Sequence, residues 1–157
     1  MIDGVMIKKL VRHPDERGYF EEIIRVTDEF FKEGFGQLSH SYMVEGVVKA
    51  WHIHATQIDW WFCVTGKIKA ALHDKRDSSL TKGETNEYIL GDAPDNIVLK
   101  IPAGVAHGMK VVEGPCHFVY ATSKIYNPQE EGRIQYDDKE IGYDWVQGIP
   151  ITNTKIT

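Results

Sequence analysis

Between Gln37 and Ile125 the chain is a succession of short apolar, β-branched and aromatic runs broken by turn residues, and nothing else in it constrains the fold as tightly. The runs occupy residues 38–43, 47–54, 59–64, 67–73, 85–90, 97–101, 108–112 and 117–125. Between them stand Glu45-Gly46, Thr65-Gly66, Lys82-Gly83, Pro94-Asp95-Asn96 and Glu113-Gly114-Pro115. Runs of this length bounded by Gly, Pro, Asn and Asp read as strands, and so many at this spacing predict a sandwich or small barrel. Upstream, residues 6–11 alternate partly, 13–18 read as a turn and 19–26 as a second strand. Residues 27–34 carry the one good helix signal: a polar first residue, acids in the first turn and a terminal Gly. The tail after Tyr126 reads as loop, with Gly142-Tyr143-Asp144-Trp145 packing as an edge element.

The length of 157 residues suits a single domain, 1–157, with a sizeable core. Cys63 and Cys116 both lie in apolar runs, so they are expected as buried thiols rather than a disulfide framework. No apolar run approaches bilayer length and the first residues do not resemble a secretion leader, so a cytoplasmic protein without a membrane partner is expected. The net charge of −5, with acids and bases interspersed, argues against coating a nucleic acid. A mononucleotide ligand is compatible with it, because two or three local cations suffice for a diphosphate.

The residues that carry chemistry fall in two segments. The first runs Gly46, His52-Ile53-His54, Asp59, Gly66; the second is Pro102-Ala103-Gly104-Val105-Ala106-His107. His52 and His54 are two apart, so on a strand both point to one face. Three imidazoles and a carboxylate suit a first-row divalent ion such as Zn, Fe, Mn, Ni or Co. The spacing resembles the paired motifs of cupins. Asp59 replaces the usual Glu, and Asn96 and Val111 replace the usual Gly and Asn of the second motif. The resemblance implies an all-β fold, a double-stranded β-helix or jelly-roll cupin barrel, here with one short helix. It also implies one divalent metal at His52, His54, Asp59 and His107, with no organic cofactor. The competing reading is a metal-free barrel pocket lined by the same histidines.

A second resemblance spans about Asp15 to Trp145. It is carried by Asp15-Glu16-Arg17-Gly18-Tyr19-Phe20-Glu21-Glu22, Gln37-Leu38-Ser39-His40-Ser41, Lys49-Ala50-Trp51-His52, Asp74-Lys75-Arg76-Asp77-Ser78, the Pro102–His107 segment, Tyr120, Tyr126-Asn127-Pro128 and the stretch from Asp137-Asp138 to Trp145. In this order they are similar to the dTDP-4-dehydrorhamnose 3,5-epimerase family, itself of cupin fold. The resemblance implies nucleotide contacts at Arg17, Phe20 and Glu22, and further substrate contacts at Gln37, Lys49 and His107. It makes His52 the general base and Tyr120 the general acid, and it implies a homodimer that exchanges N-terminal strands. Such residues serve an epimerisation: a base removes a proton next to a ketone, and an acid returns one from the other face.

This chain departs from the family at four places. The enolate-stabilising Lys falls at Asp59, and the Gln after the catalytic His is His54. The Arg before the catalytic His is Lys49, and no acid to orient that His stands in residues 149–157. The first two departures are the ones that create the metal motif. Three readings follow: a nucleotide-sugar epimerase or isomerase acting beside the C4 ketone of a nucleotide-linked 4-keto-6-deoxyhexose; a metal-dependent cupin acting on another small molecule; and a non-catalytic sugar-nucleotide-binding cupin. If His52 were a metal ligand its lone pair would not be free to act as a base, and that conflict is left to the structure.

Overall fold

A computed structural model describes residues 1–93, 95–146 and the backbone of 155–156. Its strands are β1 (Met6–Lys9), β2 (Arg12–Asp15), β3 (Gly18–Glu21), β4 (Gln37–Met43), β5 (Val47–His54), β6 (Asp59–Asp74), β7 (Thr85–Gly91), β8 (Ile97–Ile101), β9 (Val105–Thr122), β10 (Glu131–Arg133) and β11 (Lys155–Ile156). The all-β reading holds, with a cupin-like layering.

The architecture is organised by β6 and β9, which pair antiparallel from Asp59↔Thr122 to Asp74↔Val105. The sequence reads each of them as two strands, 59–64 with 67–73 and 108–112 with 117–125. They are single strands that bend. The ladder shifts register between Cys63 and Ile68, where Gly66 has φ +75° and a Cβ would stand 2.5 Å from the Glu113 carbonyl oxygen. Thr65-Gly66 and Glu113-Gly114-Pro115 therefore bend two strands together, as bulges do, instead of reversing them.

Each half of the bent ribbon recruits its own neighbours. The second half of β6 and the first half of β9 are flanked by β7 and by β5, with β10 beyond β5. The first half of β6 and the second half of β9 are flanked by β8 and β4, with β1 beyond β8. These are the two walls. Alternate residues point between them, so Trp61, Cys63, Ile68, Ala70, Leu72, Met109, Val111 and Phe118 form one cluster. Cys63 and Cys116 are free and buried there, as expected.

The outer faces are covered as well. Leu10, Phe30 and Phe31 pack on Trp60, Phe62 and Ala121 of one wall. Ile141 and Trp145 pack on Val48, Ala50, Trp51, Ala71 and Ala106 of the other. The Gly142–Trp145 segment thus packs as expected, through side chains and not as a strand. The helix expected over 27–34 shrinks to a single 3-10 turn, Glu29–Phe31. Its two consecutive aromatics, Phe30 and Phe31, are both buried, and the Trp60 indole donates to the Phe30 carbonyl at 2.9 Å. An amphipathic α-helix of this length has little stability of its own, and packing both aromatics on one wall overrides it.

The segment expected as a turn at 13–18 and a strand at 19–26 is instead a hairpin. Among the described residues β2 and β3 pair only with each other. The Arg17 amide donates to the Asp15 carboxylate across its tip at 2.8 Å. Among the described residues no helix is long and apolar enough to cross a membrane.

Lys75-Arg76, which the sequence offers as a solvated turn, anchors the loop after β6. Arg76 donates from Nε and Nη2 to the fully buried Asp74 carboxylate at 2.8 and 2.7 Å. The Ser79 and Thr81 hydroxyls donate to it at 2.6 and 2.7 Å. The Arg76 hydrogen bond and these hydroxyls outweigh burial and hold the Asp74 carboxyl well below the usual carboxylate range. We expect Asp74→Asn to cost about 2–4 kcal/mol at neutral pH, because the half-buried Arg76 guanidinium loses its charge partner and the Ser79 and Thr81 hydroxyls lose a charged acceptor. The folded-state pKa is lowered, so this stability is present above the unfolded value of 3.8 and is lost as pH falls below it. Urea unfolding should show a gap between wild type and variant that is constant from about pH 7 to about pH 5 and narrows as pH falls below the unfolded value of 3.8; a gap that does not narrow there would contradict the assignment.

Candidate active site

The two walls leave a cavity of about 360 Å³ between them, reached from one end of the barrel. Local strand geometry decides which side chains line it. His52 and His54 share a face of β5 by the two-residue period. Strict alternation would send Lys49 to the other face, but the register shift between Lys49 and His52 brings it to the same cavity. On β9, His107 and Met109 line the cavity from one wall. The bend then changes the parity, so Phe118, Tyr120 and Thr122 line it from the other. Trp61 of β6 stands opposite Tyr120, and Asp59 of β6 and Gln37 of β4 flank Thr122.

Two polar groupings divide the histidines. In the first, His52 Nδ1 lies 2.7 Å from Glu131 Oε1. Burial opposes ionisation of Glu131, but His52, a Tyr126 hydrogen bond and Arg133 outweigh it and lower its pKa. An ionised carboxylate only accepts, so Nδ1 carries the proton and the Nε2 lone pair is left free. Burial lowers the His52 pKa more than Glu131 raises it, which keeps the ring neutral at neutral pH.

In the second grouping, ligand-type atoms of His54, Asp59 and His107 lie within 4.8 Å of one another, and His52 is outside it. His54 Nε2 is 3.9 Å and His107 Nε2 3.8 Å from Asp59 Oδ2. Gln57 donates to Asp59 Oδ1 at 2.8 Å and the Trp61 indole donates to Oδ2 at 3.2 Å. His107 Nδ1 is 3.0 Å from the Val105 carbonyl. Burial pushes the His107 pKa down to about 4, so this ring is neutral too.

The residues expected from the sequence are therefore only partly convergent. His52, His54, Asp59, His107, Tyr120, Gln37 and Lys49 line one cavity. Arg17, Phe20 and Glu22 do not. Arg17 has a side chain 82% exposed at the hairpin tip, paired with Asp15. Phe20 is 63% exposed, and Glu22 pairs with Arg25. The residue that sequence reasoning missed is Glu131. It reaches His52 because β10 pairs antiparallel with β5, Glu131 opposite His54 and Arg133 opposite His52. The resemblance would place an acid for His52 in residues 149–157, which hold none and whose side chains lie outside the described residues. The available signal was Glu130-Glu131, just after the matched Tyr126-Asn127-Pro128.

With this geometry in place, comparisons with known proteins are specific. A family model described as dTDP-4-dehydrorhamnose 3,5-epimerase matches residues 1–156. The spore coat polysaccharide biosynthesis protein SpsL of Bacillus subtilis is 48% identical over 149 residues, covering 92% of this chain and 97% of its own. The probable low-salt glycan biosynthesis epimerase Agl13 of Haloferax volcanii is 32% identical over 149 residues, covering 92% and 94%. Among solved structures, a dTDP-sugar isomerase from Desulfovibrio desulfuricans superposes with TM-score 0.87 at 25% identity, covering 96% of this chain and 95% of that one. A dTDP-6-deoxy-D-glucose-3,5-epimerase from Legionella pneumophila, solved with dTDP-4-keto-L-rhamnose, gives TM-score 0.87 at 26% identity and covers 100% and 85%.

The His52–Glu131 pair has a direct spectroscopic consequence. Nitrogen-15 NMR of the imidazoles at pH 8 should show His52 with its proton on Nδ1. Glu131→Ala should move it toward the Nε2-protonated form that free histidine prefers; an unchanged His52 signal would remove Glu131 from the orienting role.

Proposed function

The chain belongs to the dTDP-4-dehydrorhamnose 3,5-epimerase family and is an epimerase acting on nucleotide-linked sugars, and on that premise we propose that His52 is its base, Tyr120 its acid and Glu131 the group that orients the base. One observation carries this reading: His52 and Tyr120 line the same cavity from opposite walls. The Nε2 lone pair of His52 takes the proton from a carbon beside the C4 ketone, and negative charge passes to the carbonyl oxygen. Tyr120 returns a proton from the other face, so the carbon inverts. Glu131 fixes the reactive tautomer and stabilises the imidazolium that forms. The substrate is a dTDP-linked, or other nucleotide-linked, 4-keto-6-deoxyhexose, with Gln37, Lys49 and His107 contacting it. The name of the Bacillus subtilis relative supports a product destined for a surface polysaccharide.

The same proposal extends to assembly. The chain forms one cupin domain, 1–157, and works as a cytoplasmic homodimer. The β2–β3 hairpin, which among the described residues pairs with no other strand, supports this: it and the residue after it carry Arg17, Phe20 and Glu22, which match nucleotide contacts yet line no part of the cavity in their own chain. Each hairpin would complete the partner's site. The divalent ion expected from the sequence would fall to His54, Asp59 and His107, with His52 left out.

Incubation with dTDP-4-dehydro-6-deoxyglucose in heavy water tests the chemistry. Wild type should place deuterium at C3, C5 or both, and His52→Ala should slow this by about 10²–10⁴-fold, the usual contribution of a positioned base. Retained exchange in the variant would displace His52 from the role. Mixing inactive Arg17→Ala and His52→Ala chains tests assembly. If hairpins serve the partner, hetero-dimers hold one intact site, and about a quarter of wild-type activity returns after subunit exchange. No recovery would place the hairpin in its own chain's site.

A further inference from the structure

His54, Asp59 and His107 present a problem that the epimerase reading does not solve. The Val105 carbonyl can only accept a hydrogen bond, so His107 carries its proton on Nδ1. Its Nε2 lone pair then faces Asp59 Oδ2 at 3.8 Å, too far for a hydrogen bond and with no proton between them. Both groups are buried. Both Asp59 oxygens accept a hydrogen bond, Oδ1 from Gln57 at 2.8 Å and Oδ2 from the Trp61 indole at 3.2 Å, which fixes the carboxylate's orientation. His54 brings a third donor atom to within 3.9 Å of the same oxygen. Lone-pair-bearing atoms brought this close from two facing walls, two of the three groups buried, repel one another unless a cation or proton lies among them.

The shape of the cluster fits a metal. An imidazole or carboxylate ligand sits about 2.0–2.2 Å from a first-row divalent ion, which spaces the ligands of a tetrahedral site about 3.3 Å apart. The observed separations of 3.8 and 3.9 Å to the shared oxygen are wider by a few tenths of an ångström, within reach of side-chain adjustment. Two of the three ligands are already oriented from behind, as the outer partners of metal ligands usually orient them: His107 by a backbone carbonyl, and Asp59 by an amide and an indole. Two imidazoles and one carboxylate, with the remaining positions open to a cavity, is the donor set of reactive rather than structural ions. His52 stands outside the cluster: among the described residues, the ligand-type atoms that lie within 4.8 Å of one another are those of His54, Asp59 and His107.

We propose that the chain binds one divalent transition-metal ion at His54, Asp59 and His107, with its open coordination positions facing the cavity and His52 outside the coordination sphere. Members of the family generally work without a metal, so this would be a property of this chain's own substitutions. Asp59 and His54 stand where the resemblance places a Lys and a Gln. A bound ion would supply, for the oxygen at C4, the positive charge that the Lys supplies elsewhere. The division of labour leaves one histidine free as base while two hold the ion. The role of the ion rests on the epimerase reading; its binding does not.

The test reads metal directly. Protein purified without chelator or metal-affinity resin is analysed by elemental mass spectrometry, then stripped with EDTA and titrated with Co²⁺, Zn²⁺, Mn²⁺, Ni²⁺ and anaerobic Fe²⁺. We expect about one equivalent of at least one of these ions per chain, a visible Co²⁺ absorption band of low symmetry, and a rise in thermal midpoint on binding. Asp59→Asn, which preserves shape, should weaken Co²⁺ binding at least tenfold. His52→Ala should retain the equivalent and the band while losing deuterium exchange, which separates failure of the metal site from failure of the base. The proposal is overturned if folded wild type takes up none of the five ions at millimolar concentration. It is equally overturned if His52→Ala abolishes binding, because the ion would then sit at His52, or if Asp59→Asn leaves binding intact.

Discussion

The antiparallel pairing of β6 with β9, bent at one place in both strands, is the constraint on which the rest of this molecule depends. Because the two strands bend together, their backbone hydrogen bonds continue from one wall to the other and only the side-chain parity changes. That is why His107 and Tyr120, thirteen residues apart on β9 and of opposite parity, enter the same cavity from different walls. Gly66 stands at that bend with φ +75° and no room for a Cβ against the Glu113 carbonyl oxygen, so a larger residue there would strain the turn from one wall to the other. Covering both outer faces, with Phe30 and Phe31 on one side and Trp145 on the other, makes the walls stiff enough to hold a site.

Within that frame the chemistry is partitioned by which hydrogen bond each histidine makes. His52 is tied to a carboxylate across β5 and β10, which leaves its Nε2 available to take a proton. His107 is tied to its own backbone at Val105, which turns its Nε2 toward Asp59. Two imidazoles paired directly across β5 and β9 therefore face different tasks. On the proposed reading the conflict between base and ligand would dissolve, because the motif's residues fall into two separate groupings, His52 with Glu131 and His54 with Asp59 and His107.

Much of this was legible in the chain, and the illegible part has a common cause. Strand positions were readable from alternation and turn residues, and the lining of the cavity from His52, His54, Asp59, His107, Tyr120, Gln37 and Lys49 followed from motif spacing and family resemblance. What alternation cannot reveal is pairing. Thr65-Gly66 and Glu113-Gly114-Pro115 read as strand reversals, and only their lying side by side makes them bends. Phe30-Phe31 read as helix, because the wall that captures both rings is built by residues distant in sequence. Glu131 was hidden for the same reason: it acts through β10 lying on β5, in a tail that locally resembles loop. Arg17, Phe20 and Glu22 match the family motif, but that they stand away from the cavity in their own chain comes from topology and not from local pattern.

The central claim is that proton removal and proton return come from opposite walls, and the Tyr120→Phe variant tests it most directly. In heavy water the rates of deuterium uptake into a dTDP-linked 4-keto sugar and of inversion at the same carbon can be followed in one NMR experiment. With His52 and Glu131 intact and the opposite-face acid removed, the account predicts that uptake continues while inversion falls far behind it, the proton being exchanged on one face. Inversion keeping pace with uptake would mean that the acid lies elsewhere and that the two-walled arrangement is not the source of the stereochemistry.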